Sequence, residues 1–278
     1  MDLRRLLVGT TVATALTALA GVLTATAGAG LTCEARWPLC DGAVFGLFPA
    51  NFMSFIEWSH RLVAMIAGLL IVAATLAAWR GGHPRRVRLA TLGALLLTPV
   101  QVVLGAFTVL VYEFVFGYSI LVLTLHFTMA ALILGLLVAA TVWAYAETLA
   151  VSPAHVRRAG VAALLGFPVL AALTPRLLVG FGEVVQFVYY GVGFAAFAAL
   201  VVVALWGWEL GARIVASTGG LAAVLVIVQL VVARHAFGSD GQLAILGLAV
   251  VAAALTVAAV RASSSLDATS GAVGLPTN

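Results

Sequence analysis

The sequence predicts an all-α membrane protein of eight transmembrane helices, arranged as two pseudo-repeated four-helix bundles with both termini cytoplasmic. Three observations predict it. First, 64% of the 278 residues are hydrophobic and only 9% are charged, with a mean hydropathy of +1.18. Soluble domains carry about 25% charged residues, so a bilayer must supply most of the burial. Second, apolar runs recur at the length of about 20 residues that a helix needs to cross a core about 30 Å thick. Third, the 14 basic residues, all arginine, fall mostly in the short segments between those runs.

The first run, roughly 6–29, is too long for the core of a cleavable signal, and further spans follow it. A loop holding CEARWPLC leads to the second, roughly 54–79, which opens on EWSHR. The third, roughly 89–112, contains TPVQVVLGAFTVL, and the fourth, roughly 117–145, contains LTLHFTMA. The segment AETLAVSPAHVRR then divides the chain. The fifth span, roughly 159–178, is interrupted in its outer half by Pro168, Pro175 and Arg176. The remaining spans run over roughly 183–208, 214–233 and 242–260. Glycine and alanine are abundant throughout, as expected where helices in a bilayer approach closely.

With the N-terminus inside, the inner segments hold Arg4, Arg5, Arg80, Arg85, Arg86, Arg88, Arg157, Arg158, Arg213 and Arg261. The outer ones hold Arg36, Arg176 and Arg234, and Arg61 falls inside the second span. Ten against three is a strong positive-inside bias. Such dispersed arginines, at net charge +4, are no nucleic-acid footprint. The expected organisation is an N-terminal half over 1–148, a C-terminal half over 149–261 and a disordered, Ser/Gly/Thr-rich cytoplasmic tail over 262–278. Glu57 precedes Gln101 by 44 residues and Glu183 precedes Gln229 by 46, which suggests a weak repeat. Paired four-helix units place cofactor sites between facing helices.

His60 and His126 are the two histidines inside spans, and both spans run from outside to inside. At 1.5 Å per residue they lie roughly 9 Å and roughly 13 Å below the starts of their spans. Two imidazoles at similar depth on parallel helices can share one haem iron, for which histidine is a standard axial ligand. The alternative is two unrelated histidines, each bonded to a neighbouring helix. Glu57 stands three residues before His60 on the same helix face. It is either a group that moves protons beside a haem or a carboxylate hydrated at the outer interface. Arg61, deep in the span, needs an anionic partner: a haem propionate, Glu57 or Glu113.

Cys33 and Cys40 are the only cysteines, in an outer loop, where an even count favours a disulfide. No C-x-x-C-H haem-attachment motif occurs. His83 and His155 lie among inner arginines and read as solvated, and His235 reads as an exposed loop residue. Glu183, Gln186, Tyr189 and Tyr190 line the outer part of the sixth span.

Taken together, C-x6-C, EWSHR, TPVQVVLGAFTVL and LTLHFTMA in this order resemble the haem A synthase family over roughly residues 5–145. That resemblance implies two pseudo-symmetric four-helix halves with the catalytic haem site in the first. It maps His60 and His126 onto the family's N-terminal axial pair, Glu57 onto its outward carboxylate, and Cys33 and Cys40 onto its outer cysteine pair. The implied reaction is stepwise oxidation of a ring methyl of haem O to the formyl group of haem A, for a terminal oxidase. Implied partners are haem O as substrate, the farnesylating enzyme that makes it, and the terminal oxidase; a second copy of the chain is a further candidate.

Eight-helix members of the family usually carry a second histidine pair, in spans six and eight, for a haem b cofactor. Here the register puts Val188 or Tyr189 at the sixth-span position, and the eighth span has no histidine. Tyrosine is a known haem ligand, so Tyr189 or Tyr190 stands as an alternative to a second half without haem. Two other functions share the His60/His126 pair: a bis-histidine b-type cytochrome for electron transfer, and a haem-handling membrane protein without turnover.

Overall fold

In the computed structural model the chain is described over residues 2–33, 36, 40, 43–44, 48–49, 51–111, 119–146, 148–235 and 238–272. Among the described residues it folds into eight helices: α1 (Leu3–Thr26), α2 (Phe52–Arg80), α3 (Arg85–Val111), α4 (Ile120–Tyr145), α5 (Pro153–Ala172), α6 (Glu183–Glu209), α7 (Arg213–His235) and α8 (Ser239–Ala272). Seven of them, all but α5, are long and apolar enough to cross a membrane, and the chain is a multi-pass membrane protein. The loop between α1 and α2 adds a two-residue antiparallel bridge, with Ala43 opposite Pro49 and Val44 opposite Phe48.

Local chemistry sets the helix starts. Asn51 caps α2, its side-chain oxygen accepting from the Met53 N–H at 2.9 Å, and Asp2 caps α1 in the same way through Arg4. At α5, Pro153 occupies the first turn, where its missing N–H costs nothing. The Ser152 N–H and hydroxyl face His155 Nδ1 at 3.2 and 2.9 Å.

The fifth span departs from expectation. Helix α5 ends at Ala172, six residues before the predicted end. Beyond it Pro175 has no N–H to offer, and Arg176 takes a left-handed backbone conformation (φ 57°). With His155, Arg157 and Arg158 in its first turns, the 20-residue helix is not among the seven that are both long and apolar enough to cross. At the other end of the chain, α8 continues to Ala272, past the predicted span end near 260. Within that extension Ser263 and Ser264 return their hydroxyls to the Val260 carbonyl at 2.7 and 3.1 Å.

The contacts divide the chain into two compact units. One comprises residues 1–144 with 181–190, and the other 145–180 with 191–278. The first unit has an apolar core at one end of its helices: Leu3, Leu6 and Leu7 of α1, Ala74 and Ala78 of α2, Val87 and Ala90 of α3, and Ala140 and Ala144 of α4. Next to it pack Ile71, Ala94, Ile133 and Leu137. The Thr75 hydroxyl reaches the Thr91 carbonyl on α3 at 3.1 Å, and Thr11 meets Thr141 of α4 at 3.1 Å. Alanine and threonine permit this close packing. The opposite ends of α1–α4 are left to carry the polar residues.

The second unit is built on Val156, Val203, Val215 and Ala259. Here glycines admit aliphatic side chains: a Cβ on Gly193 would stand 2.5 Å from Leu230, and one on Gly219 2.8 Å from Val203. The matched residues of the two halves differ in setting, since Glu57 is buried and Glu183 is exposed.

Candidate functional site

His60 is the ninth residue of α2 and His126 the seventh of α4. At 1.5 Å per residue they lie about 12 Å and about 9 Å inside their helices. Similar depth is retained, with the order reversed because α2 begins earlier and α4 later than predicted. Both rings are half-buried, and both Nδ1 atoms are buried. The two imidazoles are near enough to interact electrostatically.

Each ring rests on a glycine of the preceding helix. A Cβ on Gly21 of α1 would stand 3.0 Å from His60 Cε1, and one on Gly105 of α3 would stand 3.1 Å from His126 Cε1. Any larger residue would push on the imidazole. The backbone of Thr17, one turn before Gly21, also interacts with the His60 ring. Gln101, one turn before Gly105, brings its Nε2 to 3.4 Å from His126 Nε2.

Glu57 is buried, with its residue only 2% exposed, so it is not the hydrated interfacial carboxylate that one reading of the sequence allowed. Its Oε2 accepts from the Cys33 N–H at 2.7 Å. The Thr32 hydroxyl lies 3.1 Å from the same oxygen and 2.9 Å from the Ala29 carbonyl oxygen. Its Oε1 pairs with the Arg61 guanidinium, four residues on. Of the partners foreseen for Arg61, Glu57 is therefore the one observed; Glu113 lies outside the described residues.

Cys33 and Cys40 form the predicted disulfide, with Cα atoms 4.6 Å apart. Their sulfurs lie 3.4 and 3.9 Å from the Ser54 carbonyl oxygen, one turn before Glu57. A disulfide has no S–H to donate, so these are packing contacts. The closed loop thus meets α2 at two points, a carbonyl and a carboxylate.

The other predicted polar residues are placed elsewhere. His155 is not simply solvated: besides bonding Ser152, its ring lies 5.7 Å from that of Trp206. His235 closes the last turn of α7 rather than lying in a loop, and His83 is half-buried. Tyr189 and Tyr190 are fully buried. Tyr190 packs edge-on against Phe127, the neighbour of His126, at 5.6 Å, and Tyr189 packs against Phe181 at 5.5 Å.

Among the described residues no three His, Cys, Asp or Glu side chains converge on a point that could hold a bare metal ion. Two histidines supply the number of axial nitrogens a haem takes. His60 Nδ1 is buried and has no hydrogen-bond partner among the described residues, an imidazole nitrogen left open to a metal. The glycine cradles, the paired rings and the flanking guanidinium all fit a haem.

With seven helices long and apolar enough to cross a membrane, the chain falls in the class of multi-pass membrane proteins, and it sets two glycine-backed histidines in its first unit. The family profile of the cytochrome oxidase assembly proteins matches residues 4–180, and the chain belongs to that family, which includes the haem A synthases. It is 37% identical over 120 residues to a haem A synthase of Bacillus licheniformis, covering 42% of this chain and 37% of that protein. With a haem A synthase of Bacillus pumilus it shares 33% identity over 162 residues, covering 55% of this chain and 50% of that protein. A protohaem IX farnesyltransferase of Halobacterium salinarum is 44% identical over 88 residues, covering 32% of this chain and 19% of that protein. In each case the match covers half of the relative's length or less.

Thr32, Gly21, Gly105 and Thr17 were not foreseen as site residues, and Gln101 was noted only as a repeat marker. The stretch QVVLGAF carried a usable signal, because a polar residue and a glycine one turn apart share a helix face. For Thr32 and Thr17 there was none, since their contacts depend on how the loop and α1 meet α2.

Proposed function

We propose that the chain acts in haem A biosynthesis for a terminal oxidase, as a membrane oxidoreductase that converts a ring methyl of haem O stepwise to the formyl group of haem A. The observation that carries this reading is the arrangement of His60 on Gly21 and His126 on Gly105, with the carboxylate of Glu57 three residues before His60. His60 and His126 would hold the haem iron, and an external oxidant would have to take the four electrons that separate a methyl from a formyl group. Arg61 balances Glu57 and would meet a haem propionate as well. Glu57, fixed by Thr32, the Cys33 amide and Arg61, serves as proton acceptor or as a fixed negative charge beside the reacting edge.

The second half is read as scaffold or partner surface, with no second haem. Its glycines receive Leu230 and Val203 rather than imidazoles. Tyr189 and Tyr190 are engaged in an aromatic cluster. The similarity to a farnesyltransferase segment supports a haem O-forming enzyme as a partner. Counted over eight spans, the arginine bias supports cytoplasmic termini and an outer cysteine loop, a reading that requires α5 to cross the membrane as well.

One observation favours the runner-up, a bis-histidine cytochrome. Both oxygens of Glu57 are already bonded, as a purely structural anchor requires. Expression in a host that makes haem O but not haem A separates the two. Hydroxymethyl or formyl haem in the extract supports the enzyme, and haem b or unchanged haem O alone supports the cytochrome.

A further inference from the structure

We propose that the α2–α3 turn of the first unit binds an anionic phospholipid, its phosphate held by Arg80, Arg85 and Arg88 beside the ring of Trp79. The turn lies about 30 Å along α2 from His60 at 1.5 Å per residue, so this site is independent of how the histidines act.

Both helices are long and apolar enough to cross a membrane, and the turn sits at their common edge: one candidate span ends at Arg80 and the next begins at Arg85. On either side of Gly81–Pro84 the same pattern runs in mirror image. On α2, Leu76, Trp79 and Arg80 stand at i, i+3 and i+4, on one helix face, and all three are exposed. On α3, Arg85, Arg88 and Leu89 repeat that spacing, with Arg85 and Leu89 exposed and Arg88 half-buried. In both, the leucine lies on the span side and the guanidinium on the turn side. Arg88 joins the two faces, its Cζ 5.1 Å from the centroid of the Trp79 ring.

That stacking engages a face of the guanidinium, whereas its N–H donors lie in the plane and point outward from the edge. Arg88 Nε is buried with no hydrogen-bond partner among the described residues. Charge is also unbalanced here. The apolar core that joins Leu3, Ala78, Val87 and Ala144 marks this end of the four helices. Among the described residues it carries Arg4, Arg5, Arg80, Arg85, Arg86 and Arg88 against one acid, Asp2, which Arg4 engages.

A phospholipid answers both parts of the surface. Its phosphate accepts in-plane N–H bonds from arginine, and its acyl chains run along Leu76 and Leu89. Trp79 then stands at the boundary, where indole rings concentrate. Basic pockets between membrane helices are a recurrent form of headgroup site. A soluble phosphate would meet only the arginines and leave the leucines unused.

The test uses the full-length chain in phosphatidylcholine nanodiscs holding a minor share of phosphatidylglycerol. One lipid or the other carries bromine in its acyl chains, and Trp79 quenching is the difference between wild type and Trp79→Phe. Mole for mole, brominated phosphatidylglycerol is expected to quench Trp79 at least about tenfold more effectively than brominated phosphatidylcholine. The combined Arg80→Gln, Arg85→Gln and Arg88→Gln variant should bring the two lipids to parity. Arg157→Gln, Arg158→Gln and Arg213→Gln together remove the same charge from the second unit and should leave the preference within about twofold of wild type. Equal quenching by both lipids in wild type, or an equal loss in the second-unit variant, would overturn the proposal. So would a preference that collapses in inorganic phosphate but not in chloride of the same ionic strength, which would make the ligand a soluble anion. Should the triple variant at the turn fail to fold, the wild-type comparison and Arg80→Gln alone, expected to weaken the preference, carry the decision.

Discussion

Gly21 and His60 meet so closely across the α1–α2 contact that a Cβ on the glycine would stand 3.0 Å from the imidazole Cε1. The matching contact of Gly105 with His126 repeats the device on α3 and α4, at 3.1 Å. Two opposed terms decide what an added methyl does there. Alanine gains up to about 1 kcal/mol in helix propensity, and overpacking costs about 1–3 kcal/mol. The imidazole must tilt or its helix must shift. Gly21→Ala and Gly105→Ala are therefore expected to leave the apoprotein within about 2 kcal/mol of wild type while weakening haem affinity at least about tenfold. Thermal unfolding and haemin titration check the two halves of that expectation, and a variant with unaltered haem affinity would remove the cradle role.

The spans were legible in the sequence because bilayer thickness imposes length and apolarity on each helix separately. The exception is instructive. Apolar composition suggested a span through 178, whereas α5 ends at Ala172 and its first turns carry His155, Arg157 and Arg158, so it is not among the seven helices apolar enough to cross. His60, His126 and Glu57 were legible because ionisable groups stand out in an apolar run. Gly21 and Thr32 were not, because their role depends on which residues of another helix or loop they meet, and spacing along one chain does not encode that. Whether Glu57 was hydrated or buried was likewise undecidable until the cysteine loop was seen to close over it.

Glu57→Gln separates chemistry from binding. The glutamine can still accept from the Cys33 N–H but loses the charge that pairs with Arg61. The expected cost in stability is about 1–3 kcal/mol. Haem binding should persist with the wild-type spectrum while formation of hydroxymethyl and formyl haem falls by at least about tenfold. Full product formation in Glu57→Gln, measured by haem extraction and mass, would remove its proposed role.

Thr32→Val tests the loop's hold on the same carboxylate. It deletes one of the contacts on Oε2 and leaves the Cys33 amide in place. A loss of about 1 kcal/mol in stability is expected, together with a fall in turnover smaller than that of Glu57→Gln. Thr32→Ser should restore both, and failure of that rescue would assign the effect to packing instead.

Reduction of the Cys33–Cys40 bridge should raise the mass of the intact chain by about 2 Da per bridge opened, the two hydrogens taken up. Its short loop gives a stabilisation of roughly 2 kcal/mol. Cys33→Ser with Cys40→Ser is expected to lower the unfolding midpoint modestly and to loosen the hold on Glu57. An identical mass with and without reductant would show that the cysteines are not bridged in the membrane.

The most direct test is the low-spin haem spectrum of His60→Ala and His126→Ala beside wild type, each purified from membranes with its haem. If the two imidazoles hold one haem in the first unit, each single substitution abolishes the six-coordinate low-spin bands. A low-spin spectrum unchanged in either variant would contradict that pairing and move the haem to another site.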